Sequence, residues 1–512
     1  MNSGWNRHIY RALLLISFLG VNALILFGIG SIWFYLNSGA DRSSMLHVST
    51  EQQEAYLPKI TWGHLEYEGR PMEKQTLKEI QKDYLNAWHV RNIAYKNNDP
   101  YGLKDYYTDS LRLRLNAIID LNKQHKTVIN QTTIAHHPQL EFYSADGKLA
   151  IFTDRNVITY QEIYTEHTLV LQQKDTTSYQ VIMLLEDGFW RIRHLVEIQD
   201  SGQPEPIQEN LQETLGQIAK IKGVNYYPKD YPWAMFGPSF ADSIISADFK
   251  RIRKMGLNTV RIFVPYEDFG KAKVYPQKME RLITVLDVAE KHGLKIVVTL
   301  FDFYGNYDIT DWTLTHRHAE TIVTALKDHK ALLAWDIKNE PDLDFETRGK
   351  QKVTAWLQEM NSNIKKWDQR HPVTIGWSSP EVASNLAEEL DVVSFHYYKD
   401  VADFSNAYSK LKESVPDKPL LLQEYGYTSY SGLWNGFMGS EGKQAAYYKK
   451  MQTTLKQENI PYMFWTLYDF ETVPTSVVGR LPWRKQRQKY YGCLDTEGKP
   501  KPSYQYLVLD QD

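Results

Sequence analysis

The chain has 512 residues and a formal net charge of −3, with 42% hydrophobic and 24% charged residues. This composition is typical of globular protein with a sizeable core, and the length predicts two or three domains. The slightly acidic balance argues against a nucleic-acid-binding protein, which would need a basic face. A single cysteine, Cys493, excludes an intrachain disulfide and a thiolate metal cluster.

An uncharged stretch runs from Ala12 to Leu36 near the N-terminus. At about 1.5 Å per residue, a helix of this length crosses a hydrocarbon core of about 30 Å. Arg7 and Arg11 precede it, which predicts a cytoplasmic N-terminus with the rest of the chain on the outer side. A cleaved signal peptide is the alternative, because residues 38–40 are small. The apolar region of a signal peptide has about 7–15 residues, so we interpret residues 1–40 as an uncleaved anchor.

Residues 71–200 predict a small α+β domain, preceded by a polar tether at 41–70. Apolar residues recur at helical spacing over 77–95 and 111–119. Alternating segments then predict strands, and Asp146-Gly147 is a strong hairpin signal. The predicted extended segments are Phe142–Ile151, Val157–Tyr164, Thr168–Gln173, Tyr179–Leu185 and Phe189–Ile192.

Two helices followed by a curved antiparallel sheet that ends in "DGFWRI" resemble the NTF2-like cone fold. The resemblance implies a domain that holds a small ligand, or one that serves as a spacer or dimerisation unit. His136, His137 and His167 lack the regular spacing of metal ligands, and we interpret them as solvated or hydrogen-bonded. Residues 201–218 contain a glycine and two prolines near their start and are interpreted as a linker.

From residue 219 to 512, short apolar runs alternate with amphipathic helices, the pattern of a parallel α/β fold. Eight repeats in about 290 residues predict a (β/α)8 barrel. A doubly wound sheet is the alternative, but "GVNYYP" after the first strand is not a phosphate-binding glycine loop. The predicted strands are Ile221–Tyr226, Thr259–Val264, Lys295–Leu300, Leu332–Ile337, Val373–Trp377, Val392–His396, Leu420–Glu424 and Tyr462–Leu467.

Active-site groups of such barrels lie at the C-terminal ends of the strands. Two glutamates, Glu340 and Glu424, follow or end strands four and seven, which lie across the barrel mouth from each other. Retaining hydrolysis of a glycosidic bond needs two carboxyl groups about 5–5.5 Å apart. Other candidates at the strand ends are Tyr226, Tyr227, Arg261, Asp302, Asn339, Trp377, His396, Tyr398 and Trp465.

Six motifs in strand order resemble those of clan A glycoside hydrolases, nearest to family 5, the cellulase and mannanase group. "AWDIKNEPD" is similar to the Asn-Glu-Pro motif that carries the acid/base, and "LLLQEYG" to the strand-seven motif that carries the nucleophile. The other four are "NTVRI", "SFHYY", "FWTLYDF" and "YYGCLDTEGKPKPSYQYL".

The resemblance implies roles for residues at matching positions. Glu340 would be the acid/base and Glu424 the nucleophile. Asn339 would bond the 2-hydroxyl of the sugar, Arg261 would support the nucleophile, and Tyr398 would hydrogen-bond Glu424. His396 would line the site, and Trp465 would form the floor of the −1 subsite.

One position departs from the family pattern. Many family 5 members carry a histidine at the end of strand three, where this chain reads "VVTLFDFYGNYD". Asp302 or Tyr304 would take its place, which leaves the substrate open. Trp233, in the loop after strand one, is a candidate platform on which a sugar stacks.

The expected reaction is double displacement on a β-linked glycan, with no metal or organic cofactor. Glu424 attacks the anomeric carbon while Glu340, its pKa raised by the nearby carboxylate, protonates the leaving oxygen. Two alternatives remain open. A transglycosylase would use the same glutamates but exclude water, and a non-catalytic barrel would only bind carbohydrate.

Overall fold

The computed structural model describes residues 3–37, 56–63, 67–198 and 211–509, the last range without 434, 435, 438 and 480. The N-terminal part contains α1 (Ser3–Asn37), β1 (Lys59–Ile60), β2 (Glu68–Gly69), α2 (Lys74–Asn97), α3 (Leu103–Tyr106), α4 (Asp109–Gln124), β3 (Thr127–Tyr143), β4 (Leu149–Thr165), β5 (Thr168–Glu186) and β6 (Phe189–Ile198).

The C-terminal part contains α5 (Leu211–Ile218), β7 (Lys222–Asn225), α6 (Asp242–Lys254), β8 (Thr259–Pro265), α7 (Pro276–Lys291), β9 (Lys295–Asp302), α8 (Trp312–Leu326), β10 (Leu332–Asn339), α9 (Lys350–Trp367), β11 (Val373–Trp377), β12 (Val393–Tyr397), α10 (Phe404–Ser414), β13 (Leu420–Tyr425), α11 (Glu441–Gln457), β14 (Tyr462–Trp465), α12 (Thr475–Val478) and α13 (Pro482–Gln488).

Helix α1 is the element long and apolar enough, by length and composition, to cross a membrane among the described residues. Its stretch Leu13–Gly30 has no buried residue. The small residues at 38–40, on which the signal-peptide alternative depends, lie outside the described part of the chain.

A sheet with the order β1-β3-β4-β5-β6 forms the small α+β region, and β2 also pairs with β3. Long antiparallel pairings join β3 to β4, β4 to β5 and β5 to β6, and register shifts interrupt each of them. Such irregularities bend a sheet, and α2 packs against the resulting surface through Tyr84 and Trp88. Inside this core, the Asp154 carboxylate accepts hydrogen bonds from the Tyr84 hydroxyl and from the His136 ring, both at 2.7 Å.

Two predicted connections contain regular structure. The end of the predicted tether at 41–70 supplies β1 and β2, and the end of the predicted linker at 201–218 is helix α5. Strands of two residues are too short to carry a period in the sequence. Residues 41–55, 64–66 and 201–210 of these connections lie outside the described residues.

Strands β7 to β14 close into a parallel barrel in sequence order, which confirms the predicted (β/α)8 fold. The strands are buried on both faces, as their apolar sequences require. Ile218 of α5 joins Leu333 and Met463 in a cluster of buried apolar residues. This cluster lies towards the amino ends of the strands, so the opposite end of the barrel is the one available for a site.

The sheet region packs directly on the barrel. Ile134 and Tyr160, from β3 and β4, belong to the same continuous hydrophobic cluster as the barrel core. The Tyr160 ring lies 4.2 Å from the Trp312 ring at the start of α8, and Lys174 pairs with Glu359 of α9 at 2.6 Å. The two units therefore share buried apolar surface as well as ion pairs.

Candidate active site

Arg261 is the centre of a polar network within the barrel. It lies on β8 with its side chain completely buried. Burial acts to lower its pKa, but the carboxylates of Asp336 and Glu424 outweigh that effect and raise the pKa, so the guanidinium stays charged. It donates hydrogen bonds of 2.6–3.2 Å to Asn225, Thr299, Asp336, Asn339 and Glu424.

Glu424 lies on β13 with both carboxylate oxygens bonded. Arg261 Nη1 donates to Oε2 at 3.2 Å, and the Tyr398 hydroxyl donates to Oε1 at 2.5 Å. Burial raises the pKa of Glu424, and the neighbouring Glu340 carboxylate raises it further. His396, Arg261 and Tyr398 act in the opposite direction without cancelling the rise. The result is an oriented carboxylate that takes up a proton more readily than one in water.

Glu340 directly follows β10, and the His396 ring lies close to both Glu340 and Glu424. Its backbone is left-handed, with φ 46° and ψ 52°, which is uncommon for a residue with a side chain and is found preferentially at functional sites. His396 Nδ1 lies 2.9 Å from Glu340 Oε1 and 3.9 Å from Glu424 Oε2. Burial acts to lower the pKa of His396, but the two glutamates raise it overall. The imidazole is therefore held between the two carboxyl groups.

The two carboxyl groups approach closely. One carboxylate oxygen of Glu340 lies within 4.8 Å of one of Glu424, and a ring nitrogen of His396 is within the same distance of both. Three such groups could also hold a metal ion. However, both Glu424 oxygens already accept hydrogen bonds, and the buried Arg261 charge opposes a second cation. The arrangement suits a carboxylate pair better than a metal site.

An aromatic wall stands beside Glu424. Tyr227, Phe263, Trp465 and Phe470 form part of one buried cluster, with Trp233 packed against it. The Trp233 ring lies 4.8 Å from Tyr227, and its Nε1 donates to the Thr472 carbonyl at 2.9 Å. The Trp465 Nε1 has no hydrogen-bond partner among the described residues. A polar group of that kind at the mouth is available to a ligand.

The end of β9 settles which of two residues faces the mouth. Asp302 is buried there and accepts a hydrogen bond of 3.1 Å from the Tyr227 hydroxyl. Tyr304 turns away, since its hydroxyl donates to Asp311 at 3.1 Å and its ring packs on Trp356 at 4.8 Å. Asp302 is therefore the third-strand group that joins the mouth.

The structure brings most of the predicted residues together around Arg261 and Glu424. Trp377 and Tyr226 instead belong to the hydrophobic core of the barrel. Asn225 and Asp336 hold the Arg261 guanidinium and were not predicted as site residues. An available signal was the charge of Asp336 inside "LLAWDIKN", because a charge in a buried strand needs a buried partner.

The family model for cellulases of glycosyl hydrolase family 5 matches residues 216–471. The chain belongs to glycosyl hydrolase family 5. This family 5 chain is 25% identical over 237 residues to "Mannan endo-1,4-beta-mannosidase A" of Emericella nidulans, which covers 37% of the chain and 61% of the relative. It is 24% identical over 287 residues to human "Beta-glucuronidase", which covers 49% of the chain and 40% of the relative.

Solved structures of low identity resemble this family 5 chain in part. An exo-β-1,4-mannosidase from Opitutaceae bacterium strain TAV5 has 22% identity and a TM-score of 0.46. The match covers 56% of this chain and 58% of that one. The chain thus spans less than two thirds of this structure and of the two curated relatives.

Proposed function

We propose that the chain is a retaining β-glycoside hydrolase with Glu424 as nucleophile and Glu340 as acid/base. The observation that carries the proposal is the approach of their carboxylate oxygens to within 4.8 Å. Retaining enzymes keep the two groups about 5–5.5 Å apart, whereas inverting enzymes need about 6.5–9.5 Å to admit a water molecule between carboxylate and sugar. The separation favours direct attack on the anomeric carbon.

The hydrogen bonds support this division of roles. Arg261 and Tyr398 each donate a hydrogen bond to Glu424. These bonds favour the ionised form of its carboxyl group and fix the orientation of that group. Glu340 is the more exposed of the two, at 23% of its side chain against 9%, and so is better placed to exchange protons with a leaving oxygen and with water. Glu340 gives its proton to the leaving oxygen as Glu424 forms the ester. Because the ester carries no charge, Glu340 then stays ionised and acts as the base that takes a proton from the attacking water.

The substrate we propose is a β-linked glycan. The Asn339 side-chain oxygen accepts a hydrogen bond from Arg261 Nη2 at 2.9 Å, which leaves the amide NH₂ of Asn339 to donate to a sugar hydroxyl. Trp233 and Trp465 supply flat apolar surface of the kind on which sugar rings stack. The names of the relatives, a β-mannanase and a β-glucuronidase, both refer to β-linked sugars.

The cellular setting we propose is a membrane surface. Helix α1 would anchor the chain, with the N-terminus in the cytoplasm and the barrel on the extracytoplasmic side, because Arg7 and Arg11 precede the apolar stretch. The sheet region at 71–200, proposed as an NTF2-like domain, would lie between anchor and barrel in the chain.

Substitution and stereochemistry test the mechanism together. Glu424→Gln in the detergent-solubilised full chain should lower hydrolysis of β-linked oligosaccharides by several orders of magnitude, since an amide cannot attack carbon. Glu413→Gln, on the surface helix α10, is the matched control. Proton NMR of the wild-type reaction should detect the β-anomer of the product first. A first-formed α-anomer would mean inversion, with Glu424 acting as a base.

Two further measurements separate the remaining roles. Glu340→Gln should lose most activity on oligosaccharides but keep glycosylation of Glu424 by a dinitrophenyl glycoside, whose leaving group needs no proton. Adding a sugar acceptor distinguishes hydrolysis from transglycosylation by the products formed. A barrel that only binds carbohydrate would yield no product in either reaction.

A further inference from the structure

The segment after β14 carries a run of positive charge. Residues 472–494 contain five basic residues and no aspartate or glutamate. Four of the five, Arg484, Lys485, Arg487 and Lys489, lie on or directly after α13, while Arg480 is outside the described residues. We call residues 472–491 the basic loop.

The basic loop is fixed at the barrel mouth. At its start, Val473 joins the aromatic cluster that contains Trp465, and at its end Tyr491 joins the same cluster. The Phe470 N–H donates to the Lys489 carbonyl at 2.9 Å, and the Thr428 hydroxyl donates to the Arg487 carbonyl at 2.8 Å. These bonds attach the loop to the segments that follow β13 and β14.

A short series of contacts connects the basic loop to Glu424. Tyr398, which donates to Glu424, packs edge-on against Tyr491 with ring centroids 5.7 Å apart. The Arg487 side chain in turn hydrogen-bonds the Tyr491 side chain. The Arg487 guanidinium is therefore separated from the nucleophile by two tyrosine rings.

Four positive charges of the basic loop, on Arg484, Lys485, Arg487 and Lys489, belong to the described part of the chain. Arg484 and Arg487 are exposed, and within the described residues none of the four makes an ion pair. Unpaired cations beside a concave, partly apolar site concentrate anions there. Val477, Val478 and Leu481 are at least partly buried, and Tyr490 is the exposed large hydrophobic residue in the described part of the loop.

We propose that the basic loop recognises carboxylate groups of an anionic β-linked glycan, so that the preferred substrate is a polysaccharide of uronic acids. The inference rests on the proposed function, since it assumes that the glycan lies along the mouth beside Glu424. Arginine binds a carboxylate through two parallel hydrogen bonds, which gives direction as well as charge. Arg487 and Arg484 are the residues that make this contact.

Pairs of oligosaccharides that differ only at C6 test the proposal. Isothermal titration of the full-length Glu424→Gln protein compares hexamers of β-1,4-mannuronate and β-1,4-mannose, and hexamers of β-1,4-glucuronate and β-1,4-glucose. We expect at least one anionic hexamer to bind about tenfold or more tightly than its neutral partner, and added salt to reduce the difference. Adding Arg484→Gln and Arg487→Gln should remove most of the preference, while Lys456→Gln on α11 should leave it intact.

The outcomes separate this proposal from the mechanism. Equal binding within both pairs, no binding of either anionic hexamer, or a preference that survives the double arginine substitution would overturn the inference. Displacement of the anionic hexamer by vesicles that contain phosphatidylglycerol would also overturn the inference, because the basic loop would then be a membrane-binding surface. Hydrolysis by wild type and its loss in Glu424→Gln are measured apart, so the mechanism stands or fails independently of the binding result.

Discussion

The Tyr398 hydroxyl donates a hydrogen bond of 2.5 Å to Glu424 Oε1, and this bond stabilises the ionised form of a buried carboxyl group. Without it, burial and the Glu340 charge would raise the pKa of Glu424 further. The bond thus links the geometry of the proposed nucleophile to the pH range in which it is ionised.

Tyr398→Phe should shift the acidic limb of the pH profile of kcat/KM to higher pH. A nucleophile must be ionised, so activity is lost as pH falls through the pKa of Glu424. Removing the hydroxyl raises that pKa, and the loss then begins at higher pH, with about 10- to 100-fold lower activity at the optimum. The profile of Tyr101→Phe, which alters an exposed tyrosine of the sheet region, serves as control. An unshifted limb would mean that Tyr398 does not set this pKa.

Gly376→Ala should disable the site at a modest cost in stability. A Cβ atom there would lie 2.5 Å from Gln423 Oε1, 2.8 Å from Arg261 Nη2 and 3.1 Å from His396 Nε2. We expect at least a 100-fold loss of kcat and about 1–3 kcal/mol of destabilisation from overpacking. Gly442→Ala on α11 is the control, because its nearest contact is at 3.8 Å. It should be neutral or slightly stabilising, and equal kinetics in the two variants would refute the prediction.

Asp311→Asn should stabilise the protein most at alkaline pH. Burial raises the pKa of Asp311 from 3.8 to about 7. Because the folded pKa lies above the unfolded one, this group favours the fold at low pH, and the contribution is lost as pH rises from about 4 to about 7. Asparagine carries no charge and can still accept the Tyr304 hydrogen bond.

Thermal unfolding of Asp311→Asn at pH 5 and pH 8 checks the sign. The gain in Tm of the variant over wild type should be larger at pH 8 than at pH 5. The corresponding difference in the free energy of unfolding should be on the order of 1 kcal/mol or more. Asp120→Asn, at an exposed position of α4, should give the same small difference at both pH values. A larger gain at pH 5 would contradict the assignment.

A chain that starts at residue 41 should fractionate as a soluble protein, whereas the full chain should need detergent for extraction. The difference follows from the uncharged stretch of α1, none of whose residues from Leu13 to Gly30 is buried in the protein. Protease added to intact cells should cleave the barrel of the full-length chain. Persistent membrane association of the shortened chain, or full protection from protease, would contradict the proposed topology.

The barrel was predictable because its strands are buried on both faces. Runs such as "KIVVTL" have no polar alternation, and their observed bounds lie within about two residues of those predicted. The antiparallel sheet was harder. The predicted strands Thr168–Gln173 and Tyr179–Leu185 are one strand, β5, because the polar residues between them keep pairing with β4 on an exposed face. Polar residues in an exposed ladder resemble a loop in sequence.

The residues of the candidate site at the strand ends were predictable, whereas the buried residues that hydrogen-bond Arg261 were not. Glu340 and Glu424 lie within recognisable motifs. Asn225 and Asp336 instead act through contacts between strands that are distant in sequence. The register that places β7 beside β8 aligns Asn225 with Arg261. No local pattern encodes that alignment, since it arises only when the barrel closes.

The hydrophobic cluster that joins Ile134 and Tyr160 to the barrel has a consequence for how this chain can be engineered. A barrel excised on its own would expose the surface that these two side chains cover, and a barrel from another enzyme would present a surface that does not match them. Chimeric proteins should therefore keep the sheet region and the barrel together. The fusion point should lie before β1 and not between the two units.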